Sequence, residues 1–161
     1  MHKIKIRKAT DCDHMEILRV WEEAVRDTHG FLNDGEIELY KRLIPVYLKE
    51  VELRVSEQDR RINGFSGISG MKLEMLFVAQ RGEGIGSQLL ADAITRGVNA
   101  VDVNEENTQA AGFYLAKGFR QSGRSETDGE GRPHPILHLT LAQETDVPGN
   151  DNKTQDNTLK F

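Results

Sequence analysis

The chain has one cysteine, one tryptophan and four prolines among its 161 residues, and no apolar run approaching the length of a membrane span. Each shortage excludes something. A lone Cys12 cannot form an internal disulfide, and such thiol usage fits a reducing cytoplasm. Cys12 also lies between Asp11 and Asp13, a poor setting for a thiolate nucleophile. Without a stretch of about 20 apolar residues, no membrane span is expected. The basic start Met1-His2-Lys3-Ile4-Lys5 lacks the apolar segment of a signal peptide. Positive charge is short as well: 21 Lys and Arg stand against 26 Asp and Glu, a formal charge of −5. That disfavours general binding to nucleic acid or anionic membranes and mildly favours a cationic amine as ligand. No His, Cys and carboxylate group has metal-ligand spacing, so no metal is expected. No internal repeat is visible.

What is present reads as one α/β domain over residues 1–141, followed by a polar tail, 142–161, expected to be flexible. Ile4 and Ile6 alternate with basic residues as a first strand. Thr10 or Asp11 can cap a helix whose stripe is Met15, Ile17, Leu18, Trp21 and Val25, and Thr28-His29-Gly30 ends it. Asn33 or Asp34 opens a second helix with Glu36 in its first turn, and Pro45 is placed to kink or divide it. Val51, Leu53 and Val55 alternate as strand two, and Gln58 to Arg61 is a polar turn. Ile62 to Ser69 reads as strand three, where Gly64 and Gly67 weaken the strand or mark bulges. Leu73 to Val78, nearly all apolar, is strand four. A helix over about Ile85 to Arg96 ends at Gly97, Val101 and Val103 mark strand five, and Asn107 caps a helix ended by Gly118. Phe119 to Ser125 and Ile136 to Leu141 close the chain as an antiparallel pair. The order β-α-α-β-β-β-α-β-α-β-β predicts a mixed, mostly antiparallel sheet flanked by helices.

The stretch Arg81-Gly82-Glu83-Gly84-Ile85-Gly86-Ser87 joins strand four to the third helix. Glycines permit positive φ and close approach of a ligand, and a helix start offers unpaired N–H groups and the positive end of its dipole. This is an anion site of the kind that takes phosphate. A P-loop needs Lys and then Ser/Thr after its last glycine, but Ser87 and Gln88 follow Gly86. A dinucleotide fingerprint needs G-x-G-x-x-G, and its third glycine falls on Ser87 or Leu89. What remains is R-x-x-G-x-G, filled by Arg81, Gly84 and Gly86.

That pattern resembles the pyrophosphate loop of the GNAT superfamily of N-acetyltransferases. A second segment agrees: Asn107 to Phe119 has the form N-x-x-A-x-x-F-Y-x-x-x-G-F, similar to the family's fourth helix and its approach. The run Val103 to Asn107, with Gly123-Arg124-Ser125-Glu126 and Pro133-His134-Pro135, is similar to the small bacterial YjaB-type acetyltransferases. The resemblance covers most of residues 3–141 and is strongest over 73–141. It implies an acetyl-coenzyme A-dependent, cytoplasmic bacterial N-acetyltransferase acting on a small-molecule or protein amine, by direct attack in a ternary complex, as monomer or homodimer. Strands four and five would splay to admit the pantetheine arm against Leu76, Phe77 and Val78. The pyrophosphate would take N–H bonds from Arg81, Gly82, Gly84, Ile85, Gly86 and Ser87, and Asn107 would hold the pantetheine end. Tyr114 would be the general acid for the leaving sulfur, since a phenol's pKa of about 10 lies close to a thiol's. Glu74 would be the base, His29 and His134 would border the acceptor, and Tyr40 or Tyr47 would line its groove. Glu105 and Glu106 are expected to be solvated.

The chain departs from the pattern in three places. Only Ala79 and Gln80 separate Val78 from Arg81, about two residues fewer than relatives usually have. Glu83 sets a carboxylate near two phosphates, a repulsion of about 1 kcal/mol in water. Lys72 stands where YjaB-type proteins have His. The short loop and Glu83 favour an alternative, a GNAT-fold protein that binds coenzyme A or a partner without catalysis.

Overall fold

The structure, a computed structural model, describes residues 3–28, 30 and 32–142. The chain divides into two compact units, 1–98 and 99–161.

The first unit contains β1 (Lys5–Lys8), a 3-10 turn (Asp11–Asp13), α1 (His14–Thr28), α2 (Asp34–Leu48), β2 (Glu52–Gln58), β3 (Arg61–Ser69), β4 (Lys72–Val78) and α3 (Ile85–Thr95). Its strands are antiparallel in the order β1-β2-β3-β4. The entry to α1 is fixed by charge: Asp13 accepts from the Thr10 amide at 2.8 Å and from two Arg7 nitrogens at 2.8 and 3.1 Å. Ile17, Val20, Trp21 and Val25 then turn a fully buried stripe inward, and α1 packs on β3 and β4. Asn33 caps α2 as expected: its Oδ1 accepts from Glu36 N at 2.8 Å while Glu36 Oε1 accepts from Asn33 N at 3.3 Å. Pro45 does not divide this helix, which runs unbroken to Leu48. The proline removes one rung near the C-terminal end, and buried Ile44 and Leu48 hold the turn around it.

The β2–β3 hairpin turns through Asp59 and Arg60, both at positive φ (53° and 65°), the twist a tight hairpin favours. The glycines of β3 are sites of close approach. A Cβ at Gly64 would lie 3.0 Å from the side chains of both Ile85 and Leu89, so its absence seats α3 on the sheet. Two registers slip by one residue. Asn63 is extra on β3 between the pairs Ser56↔Gly64 and Glu57↔Ile62. Glu74 is extra on β4 between Gly67↔Met75 and Ile68↔Leu73.

The second unit contains β5 (Ala100–Asn104), α4 (Thr108–Ala116), β6 (Phe119–Ser125) and β7 (Ile136–Leu141). Its strands are antiparallel in the order β5-β7-β6. Val101, Val103 and Leu139 are buried on one face, Asp102 and His138 pair in register on the other, and α4 packs on β5 and β6. The element order matches the sequence expectation, and both strands of the closing pair have the expected ends. All but the first residue of the 142–161 tail lies outside the described residues. Among those residues no helix is long and apolar enough to cross a membrane.

Candidate active site

β4 leaves the sheet late. The Ala79 amide still donates to Asn63 O at 2.9 Å, and the chain then crosses Gln80–Gly84 to reach α3. Gly82 and Gly84 sit at φ 87° and 77°, where a side chain costs about 1–2 kcal/mol. Nothing stands within 4 Å of a Cβ added at either, so open space lies over the loop. Gly84 is the N-cap of α3 and brings no side-chain acceptor. The first helical bond runs from Gln88 N to Gly84 O at 3.1 Å. The N–H groups of Ile85, Gly86 and Ser87 therefore donate to no group among the described residues. Three unspent donors at the positive end of a helix are what a diphosphate requires, so these residues fit such a group. Arg81 reaches back to Asp27 near the end of α1, Nε to Oδ2 at 2.9 Å, with both side chains about half exposed. Exposed pairs of this kind are weak and exchange readily. Glu83 is exposed.

Along β4, strand alternation decides which main-chain groups face β3. Because Ala79 N points to β3, Phe77 does too, while Leu76 and Val78 turn theirs away from it. The Phe77 ring is buried against Phe65, with centroids 5.5 Å apart. Leu76 and Val78 are half-buried. Glu74 is buried at the bulge, where the extra residue re-aims the strand.

In the second unit, Asn107 caps α4: its Oδ1 accepts from Ala110 N at 3.2 Å. Tyr114 is buried on that helix, edge-on to Phe119 at 5.7 Å and to Phe113 at 5.2 Å. Its hydroxyl bonds to no described residue, and burial pushes the phenol well above its ordinary range. Buried tyrosines usually find a partner for that O–H. Here a proton donor is held protonated and unspent.

The model of the Acetyltransferase (GNAT) domain matches residues 21–138. The chain belongs to the GNAT acetyltransferases. It is 36% identical over 141 residues to the peptidyl-lysine N-acetyltransferase YjaB of Salmonella typhimurium, covering 84% of this chain and 97% of that protein. The solution structure of apo-form YjaB from Escherichia coli superposes with a TM-score of 0.81 at 34% identity, covering 86% of this chain and 97% of that one. A GNAT family acetyltransferase from Elizabethkingia anophelis, solved with acetyl-CoA bound, shares the fold with a TM-score of 0.64 at 19% identity, over 87% of this chain and 98% of that one.

Other residues singled out from the sequence fall differently within this GNAT chain. His29 lies outside the described residues. His134 is buried, its Nδ1 2.9 Å from Glu106 Oε1 and its amide donating to Arg132 O at 2.7 Å. Glu105 and Glu106 keep solvent-exposed side chains, 41% and 37%, as expected, and each has a partner. Glu106 holds His134, and both Glu105 oxygens accept from Arg124 at 3.0 and 2.9 Å. Arg124 accordingly holds the Glu105 carboxyl below its usual range. Tyr40 is a core residue, 1% exposed, while Tyr47 is half-buried. Sequence reasoning missed the Asp27 partner of Arg81 and the pairing of Arg54 on β2 with Asp92 on α3, because neither leaves a local pattern. No group of His, Cys, Asp and Glu among the described residues is arranged to hold a metal ion.

Proposed function

We propose that this chain transfers an acetyl group from acetyl-coenzyme A to the ε-amine of a protein lysine, by direct attack of the amine in a ternary complex. The lysine acceptor comes from the YjaB relatives, whose name describes that activity. The observation that carries the cosubstrate is the trio of unspent N–H groups at Ile85, Gly86 and Ser87, behind two glycines at positive φ.

When bound, acetyl-coenzyme A supplies a thioester carbonyl and a thiol leaving group. The amides from Gly84 to Ser87 grip the diphosphate, and Arg81 exchanges Asp27 for a phosphate oxygen. Leu76 and Val78 present main-chain groups to the pantetheine amides, as a strand edge does to an added strand. Glu74 accepts the proton that the lysine ammonium must lose before attack. Tyr114 donates its phenolic proton to the departing sulfur, and Asn107 keeps the turn before α4 in place.

A second reading, coenzyme A binding without turnover, is favoured by Glu83 and by the short approach to Arg81. Thermal unfolding decides binding first. Acetyl-coenzyme A at a hundred times its dissociation constant should stabilise the fold by about 2.7 kcal/mol. Thiol release, with mass spectrometry of a lysine-containing protein substrate, then decides turnover. A shift without acetylated lysine selects the second reading; no shift removes both.

A further inference from the structure

Three polar side chains line up across adjacent strands of the second unit, none of them used above. Asp102 on β5 and His138 on β7 are register partners, and Oδ1 meets Nδ1 at 2.7 Å. On the far side of the ring, His138 Nε2 lies 2.7 Å from the hydroxyl of Ser125 at the end of β6. The ring can reach that far because its register partner on β6 is Gly123, where a Cβ would stand 3.4 Å from His138 Cδ2. The Asp102 side chain is 6% exposed and the imidazole 37%, so the carboxylate end is inside and the ring is open to solvent.

Donor chemistry orders the cluster. An ionised carboxylate only accepts, so the ring proton sits on Nδ1, and Nε2 is left to accept from the Ser125 O–H. This is the hydroxyl–imidazole–carboxylate arrangement that activates a serine, recognised by geometry and roles and independent of chain order. We propose that Ser125 is a nucleophile toward activated acyl esters and thioesters, with His138 its general base and Asp102 the residue that positions the base.

In the first step Oγ bonds to the acyl carbon while its proton passes to Nε2. The bond from that carbon to the leaving oxygen or sulfur breaks, and the leaving group takes the proton from Nε2. Water then attacks the acyl-serine with the same base, releasing a carboxylic acid and restoring the hydroxyl. A developing oxyanion needs an N–H donor, and the residue after a nucleophilic serine commonly supplies one. The Glu126 amide donates to no described residue and is open to that use.

A cluster that merely pins strand register would leave Ser125 inert, and labelling separates the two. The full chain is treated with a fluorophosphonate probe, and in parallel with 4-nitrophenyl acetate, and adducts are mapped by peptide mass spectrometry. The expected result is one adduct, on Ser125, absent in Ser125→Ala, with labelling about 100-fold slower in His138→Asn. Asp102→Asn should slow labelling while its circular dichroism stays that of the wild type. Ser125 is half-buried at a strand end, so Ser125→Ala keeps the fold, and it should keep the acetyl-coenzyme A thermal shift. No adduct on Ser125, equal labelling of His138→Asn and wild type, or ester hydrolysis that persists in Ser125→Ala would overturn the assignment.

Discussion

Arg54 on β2 grips Asp92 on α3 with two nitrogens, Nε to Oδ2 at 2.8 Å and Nη2 to Oδ1 at 3.3 Å, and the two side chains are only 10% and 18% exposed. With the gap left by Gly64, this pair fixes where α3 sits on the sheet and so where its unspent amides stand. Asp92→Ala leaves the Arg54 charge mostly buried and uncompensated, a loss of about 3 kcal/mol in urea unfolding. The double variant Arg54→Met/Asp92→Leu removes both charges and should recover most of that loss. A cost below about 1 kcal/mol for Asp92→Ala would mean that water already satisfies the pair.

Gly84 tests the cradle itself. At φ 77° an alanine is strained by about 1 kcal/mol, yet no atom within 4 Å obstructs its Cβ. Gly84→Ala should therefore lower stability by about that amount and leave the fold intact. If the amides behind it hold the diphosphate, the thermal shift given by a fixed concentration of acetyl-coenzyme A should shrink by more than the unliganded midpoint falls. An unchanged shift would move the diphosphate away from this turn.

The Arg7–Asp13 pair sets an acid limit. The Arg7 guanidinium holds the Asp13 carboxyl down at about 2, from an ordinary 3.8, and the Asp13 side chain is 12% exposed. A depressed carboxyl contributes stability above its unfolded value and loses it as pH falls through the folded one. The contribution is about 2 kcal/mol at neutral pH, fading between about pH 4 and pH 2. Asp13→Asn should be less stable than wild type by that amount at pH 7 and no less stable at pH 2. Unfolding free energies across that range check the sign, and a gap that widens toward acid would contradict it.

These pairs also mark how far the chain can be read without coordinates. Alternation and capping residues are local, so β6, β7, the Asn33–Glu36 box and the glycine loop were all legible. Register is not local. The extra residues Asn63 and Glu74, and Ser122 on β6, each shift pairing by one position, and no periodicity announces them. Contacts that depend on register were therefore invisible. Arg81 meets Asp27 across 54 positions and His138 meets Asp102 across 36. Glu106 is exposed as expected, but its pairing with His134, 28 positions later, leaves no local pattern. Tyr114 could be picked out only through the residues around it, and that its hydroxyl bonds to no described residue emerged only from the packing.

That hydroxyl permits a test in which activity changes and stability hardly does. The hydroxyl bonds to no described residue, so Tyr114→Phe should change stability by less than about 1 kcal/mol. If the phenol protonates the departing sulfur, the same change should lower kcat by about 100-fold and leave the KM for acetyl-coenzyme A near its starting value. Burial raises the phenol's pKa, so the donor stays protonated at neutral pH, and loss of its proton should not limit turnover there. A packing role alone would leave kcat intact, because Phe keeps the edge contacts with Phe113 and Phe119. A stable Tyr114→Phe variant that releases thiol at the wild-type rate would take this residue out of the chemistry and leave the sulfur's proton to water or to another side chain.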